Sequence, residues 1–361
     1  MTTFTAREPT PTAAPAAPPA PTITAVVGAY NAEEHIGETI RSILAQTRPA
    51  DEIIVVDDGS TDGTLRELER FGDRVHVIQR SNGGCPAAFN TAFSAATSDY
   101  VAMCGADDLW EPTKLERQAV ALAAHPEIDL AFAGSWSFGF VEAPWPDPPG
   151  QGILDNAALL DLLFRENILC ASSALIRRSL YERLGPFVED VDGERFACDD
   201  YEYWLRSLGD GAVFYYEPGT HVRYRRHAGN ATNSQTWVCR SRLATHRMHV
   251  DTAGDGKLVA ATLANDLRLQ ARYEIVDGTM RRARITFMRS LRYERNLRAA
   301  AFVALLSLPE GSSRRLIAGW ESLRPSLIRL LGRGDKVAAP AAAMPPRPAP
   351  VGPEGSSWPA P

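Results

Sequence analysis

The stretch "GADDLW" sets two adjacent carboxylates, Asp107 and Asp108, directly after the apolar run "YVAMC". Neighbouring carboxylates at the end of a buried strand repel one another and lose solvation unless something positive arrives, and a divalent cation would relieve both effects. Hard oxygen ligands suit Mg²⁺ or Mn²⁺, which bind through one or two carboxylates and complete their shell with waters and a ligand's phosphates. The plain alternative is an exposed acidic turn that caps the helix starting near Pro112. "VVDDGSTDGT" places a second pair, Asp57 and Asp58, at a strand end. The turn after it has Gly59 and Gly63 for unusual backbone angles, and Ser60, Thr61 and Asp62 to cap the next helix. In "CDDYEYWLRSL", Asp199 and Asp200 open a helix whose Tyr201, Trp204, Leu205 and Leu208 form one apolar face. A helix N-terminus favours carboxylates, either as caps or as a base kept ionised to take a proton from a hydroxyl. "YRRHAGNATNS" gathers Arg225, Arg226 and His227. That cluster is either a solvated basic strand end or a clamp for phosphate oxygens on a departing diphosphate.

These residues need a scaffold that brings them together, and the apolar runs predict one. "ITAVV" (23–27), "EIIVV" (52–56), "VHVIQ" (75–79), "YVAMC" (100–104) and "DLAFAG" (129–134) read as strands. Between them stand helical patterns: Ile36, Ile40, Ile43 and Leu44; Leu65, Leu68 and Phe71; an Ala-rich stretch over 85–96; and a helix over 113–124. Such alternation predicts an α/β fold with a mostly parallel, Rossmann-like central sheet covered by helices on both faces. Both acidic pairs then sit at carboxyl ends of parallel strands, where open α/β sheets bind ligands, so one shared cleft is expected. After a Pro/Gly loop near 142–152, helices over 156–164 and 199–208 and strands over 173–177 and 212–216 follow, and 240–332 reads as mainly helical.

Composition narrows the function. Residues 1–20 and 337–361 are Pro/Ala-rich tails with few apolar anchors and are expected to be disordered. The rest divides into a domain over 21–239 and an Arg-rich helical extension over 240–336. Residues 1–239 carry 18 Lys and Arg against 34 Asp and Glu, whereas 240–361 carry 20 against 10. The acidic part is a poor nucleic-acid binder unless a metal intervenes, so no nucleic acid partner is expected. No apolar run approaches the roughly 18 residues of a membrane span, and the N-terminus lacks the pattern of a secretion signal, so a cytoplasmic location is expected. The five cysteines are odd in number, widely spaced and without a CxxC pair, which reads as reduced thiols. A DxDGT phosphatase would need an acid where Val56 stands. A dinucleotide fold would need GxGxxG, which "VVGAYNAEEH" lacks, and a nucleotidyltransferase would need basic residues that 28–36 do not contain.

Over roughly residues 22–235 the chain resembles the inverting glycosyltransferase family 2, with its GT-A fold. "VVGAYNAEEHIGETIRSILAQT" resembles that family's opening and "IIVVDDGSTDGT" its nucleotide-binding turn. "SNGGCPAAFNTAFSAATSDYV" resembles its middle helix, "GADDLW" its DxD-type metal motif and "DDYEYWLR" its catalytic acid motif. The resemblance implies a nucleotide-sugar donor and a divalent cation, Mg²⁺ or Mn²⁺, with a glycan, lipid-linked sugar or polysaccharide as acceptor. It puts Tyr30 against the base, flanked by Ala29 and Asn31. Asp58 would accept from the base with Asp57 beside it, and Asn82 and Ala106 would line the same site. Asp107, helped by Asp108, would ligate the metal, Arg226 and His227 would take up charge on the leaving group, and Asp200, with Asp199 adjacent, would be the base. Three positions depart from the family pattern: Gly105 replaces the first acid of DxD, Phe89 an arginine, and Asp199 a glutamate. Loss of that first acid leaves a second reading, a binding module that keeps the pocket without turnover. The basic extension is expected to be a packed helical hairpin with a solvated Arg face, or a surface that leans on anionic lipid at the inner face of a membrane.

Overall fold

The structure is a computed structural model. It describes residues 20–308 except 149, 231, 232 and 234, together with 312, 315 and 316. Both expected tails therefore lie outside the described residues, Ala20 apart. Along the first half run β1 (Ile23–Ala29), α1 (Ile36–Leu44), β2 (Glu52–Asp57), α2 (Thr64–Glu69), β3 (His76–Gln79), α3 (Cys85–Ala95), β4 (Tyr100–Gly105), β5 (Leu109–Trp110) and α4 (Lys114–Ala124). Then come β6 (Leu130–Gly139), β7 (Ala143–Pro144), β8 (Gly152–Ile153), α5 (Asn156–Leu163), β9 (Leu175–Arg177), α6 (Arg178–Leu184), β10 (Asp190–Val191), β11 (Glu194–Arg195), α7 (Asp199–Gly209) and β12 (Phe214–Arg226). The C-terminal helices are α8 (Gln235–Met248), α9 (Val250–Ala253), α10 (Gly256–Val276), α11 (Met280–Tyr293) and α12 (Leu297–Leu305).

The main sheet runs β3-β2-β1-β4-β9-β6-β12-β5, with β7 paired to β6 and β8 to β12. β1, β2, β3 and β4 are mutually parallel, β9 runs against both β4 and β6, and β12 is parallel to β6. Most long strands thus end on one edge, as expected for an α/β sheet of this type. Alternate residues of a strand face opposite sides. β1 accordingly sends Val26 into one core with Ile54, Val56 and Met103, under α3, α5, α6 and α7. It sends Ala25 and Val27 into another with Val55 and Ala102, under α1, α2 and α4. Phe132, Trp204 and Phe214 pack ring to ring in the first core, with centroids 4.9 and 5.8 Å apart, and truncating such a residue costs about 3–5 kcal/mol.

Two features differ from the expectation. The last strand extends past 216 to Arg226 because a bulge between Glu217 and Val222 absorbs Pro218 and Gly219. α7 buries Glu202 and Tyr203 as well as its apolar stripe, because His249, between α8 and α9, meets Glu202, and Tyr181 of α6 and Phe187 pack on Tyr203. α8 begins at Gln235, so the expected boundary at 239/240 falls inside a helix. Among the described residues no helix is long and apolar enough to cross a membrane.

Candidate active site

The cleft lies beyond the carboxyl ends of β1, β2 and β4. Its floor is the lacing of the β1 and β2 turns. Asn31, with φ of 47°, accepts from Thr61 N at 2.8 Å through Oδ1, and its own amide donates to Ser60 Oγ at 2.9 Å. Ser60 and Thr61 thus serve the neighbouring turn, and only Asp62 of the expected capping trio bonds the following helix, through Thr64 N. Of the two glycines, Gly59 has a positive φ of 78°, and a side chain there would also meet Asn82 N. Gly63 has an ordinary φ of −80°. Ala29 is buried at the end of β1, with half-buried Tyr30 after it.

Asp57 and Asp58 are both buried but differently employed. Both oxygens of Asp58 accept from the amide of Gly83, at 3.0 and 3.1 Å, and Oδ2 also from Gly84 N at 2.7 Å. Arg80 Nε lies 3.4 Å from the same carboxylate. Burial raises the Asp58 pKa against the pull of those amides and Arg80. Asp57 Oδ2 accepts from Ser60 N at 3.3 Å, while Oδ1 is buried with no hydrogen-bond partner among the described residues. Asn82 Nδ2 is likewise unpartnered, its Oδ1 accepting from Arg195 at 2.7 Å. The unsatisfied oxygen of the pair is therefore on Asp57, whereas both oxygens of Asp58 are engaged.

The second pair divides in the same way. Asp108 is buried, with Oδ2 accepting from the Ser172 hydroxyl and Oδ1 from Arg225 N at 2.8 Å. Burial and then Asp107 push its carboxyl well up, which suits a fold role. Asp107 is half-buried: Oδ2 meets His227 Nε2 at 2.9 Å and Asn230 Nδ2 at 3.0 Å, and Oδ1 has no partner among the described residues. Gly105 explains itself here. A Cβ at that position would stand 3.0 Å from both Asp107 Oδ1 and Asp108 Oδ2, so the glycine makes room for the carboxylates. Ala106 accepts from Thr39 through its carbonyl, tying the motif to α1.

Of the two arginines, Arg225 reaches this turn: Nε donates to the carbonyl of Asp107 at 2.7 Å and Nη2 to Glu38 at 2.6 Å. Arg226 lies over the Tyr224 ring, 5.8 Å from its centroid, on the other side of the strand. Among the described residues no group of three or more His, Cys, Asp or Glu side chains could enclose a metal ion. The donor set instead suits a cation held by Asp107 Oδ1 and completed by a ligand's phosphates and waters.

Asp199 and Asp200 open α7. Asp200 Oδ1 accepts from Tyr201 N at 2.6 Å, and Oδ2 accepts from Asn167 Nδ2 at 3.3 Å. Burial raises its pKa to about 6, against those two bonds. Asp199 is pushed much further, by burial and then by Asp200. Burial pushes both carboxyls up, and the added repulsion from Asp200 on Asp199 leaves Asp200 the less raised of the two. The stretch leading into α7 reaches the loop before α3, where Arg195 Nη1 donates to Asn82 Oδ1 at 2.7 Å. Cys85 lies on the accessible wall of the cleft at the start of α3.

Asn167, Ser172 and Asn230 complete the site beyond the residues singled out in the sequence, and Arg225, singled out with Arg226 and His227, is the arginine that reaches it. Arg225 and Asn230 lie inside the quoted "YRRHAGNATNS", whereas nothing local marks Asn167 or Ser172.

The family model described as glycosyl transferase family 2 matches residues 24–185, ending before Asp199. "Putative glycosyltransferase EpsE" of Bacillus subtilis is 31% identical over 196 residues, 53% of this chain and 68% of that protein. Among solved structures, S. aureus TarS 1-349 in complex with UDP-GlcNAc superposes with a TM-score of 0.57 at 17% identity, covering 85% of this chain and 92% of that one. Mannosyltransferase PcManGT from Pyrobaculum calidifontis, in complex with GDP-Man and Mn²⁺, gives 0.50 at 20% identity, covering 87% and 88%. The structural matches speak for the α/β fold, and with the EpsE alignment the chain belongs to glycosyl transferase family 2.

Proposed function

We propose that the protein transfers a sugar from a nucleotide-diphosphate donor to a hydroxyl of a glycan, lipid-linked sugar or polysaccharide, with inversion at the anomeric carbon. The observation that carries this reading is that Asp57 and Asp107 stand at or just beyond the carboxyl ends of β2 and β4, on either side of β1, with Asp107 Oδ1 unengaged, while Arg195, four residues before Asp199, bonds Asn82 at the same edge. Two proteins of the same fold hold sugar nucleotides, which supports the donor class. Asp57 Oδ1 and Asn82 Nδ2, a buried acceptor and a buried donor without partners, suit the edge of a base set against Tyr30. Asp107 Oδ1 would hold Mg²⁺ or Mn²⁺, which when bound neutralises charge on the diphosphate. Asp200 accepts the proton of the acceptor hydroxyl. The freed oxygen bonds to the anomeric carbon on the face opposite the nucleoside diphosphate, whose bond breaks with its electron pair. His227, within reach of Asp107, lies near the leaving group.

The assay is release of nucleoside diphosphate from UDP- and GDP-sugars with Mn²⁺ or with EDTA. Metal-dependent release that is lost in Asp107→Ala supports the reading. Equal release with EDTA would remove the cation from it.

The partner surface belongs to the same proposal. Arg281, Arg282, Arg289 and Arg292 are exposed on α11 beside exposed Ile285 and Met288, a mixture suited to anionic lipid. Sedimentation with phosphatidylglycerol vesicles but not with phosphatidylcholine vesicles is the expected result.

A further inference from the structure

Tyr201, the residue after Asp200, is buried, and its hydroxyl touches two other elements. It donates to the carbonyl of Leu163, the last residue of α5, and lies 2.7 Å from His246 Nε2 on α8. The other ring nitrogen of His246 meets Asp266 Oδ2 on α10, and Asp266 Oδ1 lies 2.6 Å from Arg242 Nη2. The side chains of His246 and Asp266 are 0% and 1% exposed. Leu163 stands four residues before Asn167, the side chain that holds Asp200 Oδ2. The polypeptide on either side of Asp200 is tied down by the same helices. Ala197 N donates to Ser241 Oγ at 3.0 Å, and buried Glu202 meets His249 at 3.1 Å and Arg206 at 2.9 Å.

Apolar side chains of similar volume could fill this interior at equal or better stability, so stability alone does not account for a buried polar chain. What it adds is direction: each hydrogen bond admits one placement of α7 against α5 and α8. We propose that His246 and Asp266 are positioning residues for the general base, so that the C-terminal helices, acting through Tyr201, fix the placement of both Asp200 and Asn167. This rests on the reading of Asp200 as the base. The helical extension is then part of the catalytic unit rather than an appendage.

The test uses the full chain and the sugar nucleotide that wild type turns over fastest among UDP-N-acetylglucosamine, GDP-mannose and their relatives. His246→Ala is expected to lower kcat by about 10- to 100-fold while the donor KM stays within about twofold. The acid limb of its kcat profile moves to higher pH, because the Asn167 bond favours ionised Asp200. His246→Gln, which keeps one contact to Tyr201, restores part of the rate. Tyr201→Phe keeps the packed ring and serves as the probe if His246→Ala does not fold. Independently of turnover, amide exchange in His246→Ala accelerates over residues 163–168 and 199–203 but not over α1 and α3. Unchanged kcat and pH profile in a folded variant overturns the proposal, as does unchanged exchange in those segments. A joint loss of kcat, donor affinity and melting temperature overturns it in favour of plain packing. Full turnover by Asp200→Asn would instead overturn the assignment of the base, and the exchange result would then judge the anchoring alone.

Discussion

Asn167 Nδ2 donates to Asp200 Oδ2 across 3.3 Å, from a loop 33 residues earlier in the chain. A hydrogen bond to an ionised carboxylate favours that form and lowers its pKa, so this contact opposes the burial that raises Asp200 to about 6. With Asp200 as the proposed base, transfer needs the ionised form, and kcat is expected to fall as pH drops through about 6. Asn167→Ala removes the opposing bond, so the pKa rises and the acid limb moves up by roughly 0.5–1 pH unit, with kcat near pH 8 little changed. A kcat profile between pH 5 and 9 reads this directly. A limb that stays put or moves down contradicts it.

Asp108 and Asp107 should respond oppositely to substitution. Asp108→Asn keeps an oxygen for Arg225 N and a polar group beside Ser172, so folding and metal-dependent binding of UDP or GDP are expected to persist. Asp108→Ala leaves the Arg225 amide and the Ser172 hydroxyl without their partner and should cost about 2–4 kcal/mol in urea unfolding. Asp107→Ala should leave stability nearly intact and abolish the Mn²⁺-dependent thermal shift with nucleoside diphosphate. Loss of the Mn²⁺-dependent shift in Asp108→Asn would return that residue to the metal.

The acidic turn after β2 permits a similar separation. Asp58→Ala deprives two amides and Arg80 of their acceptor and is expected to destabilise by about 2–4 kcal/mol. Asp57→Ala removes a single 3.3 Å turn bond from the fold but also the open acceptor Oδ1. It should weaken nucleoside diphosphate binding about tenfold or more with a small change in melting temperature. Calorimetric titration of both variants distinguishes the roles, and equal binding by Asp57→Ala and wild type would assign base recognition elsewhere.

Gly105→Asp restores the acid that the family pattern usually has, yet a loss is expected. Its Cβ would stand 3.0 Å from an oxygen of each neighbouring carboxylate, and the added charge repels both. A lower melting temperature and weaker Mn²⁺-dependent nucleotide binding are predicted. Tighter metal binding would mean that the turn can open to accept a second ligand.

The sequence by itself determined the parallel strands β1, β2 and β4 and the edge at which they end. Apolar runs such as "ITAVV" and "EIIVV" can be buried only in a sheet covered on both faces, and an acidic pair that follows such a run must emerge at its carboxyl edge. The tertiary structure alone decided which member of each pair is free. Asp58 is consumed by the amides of Gly83 and Gly84, Asp108 by Ser172 and by an amide 117 residues away, and Asp200 is steadied by Asn167. The covered face of α7 was decided there too, since His249 meets Glu202, and Tyr181 and Phe187 pack on Tyr203. Local pattern carries burial periodicity, because that depends on a residue's near neighbours. The partner of a carboxylate is whichever distant donor the completed fold brings to it, and adjacent side chains leaving a strand face opposite ways to meet different ones.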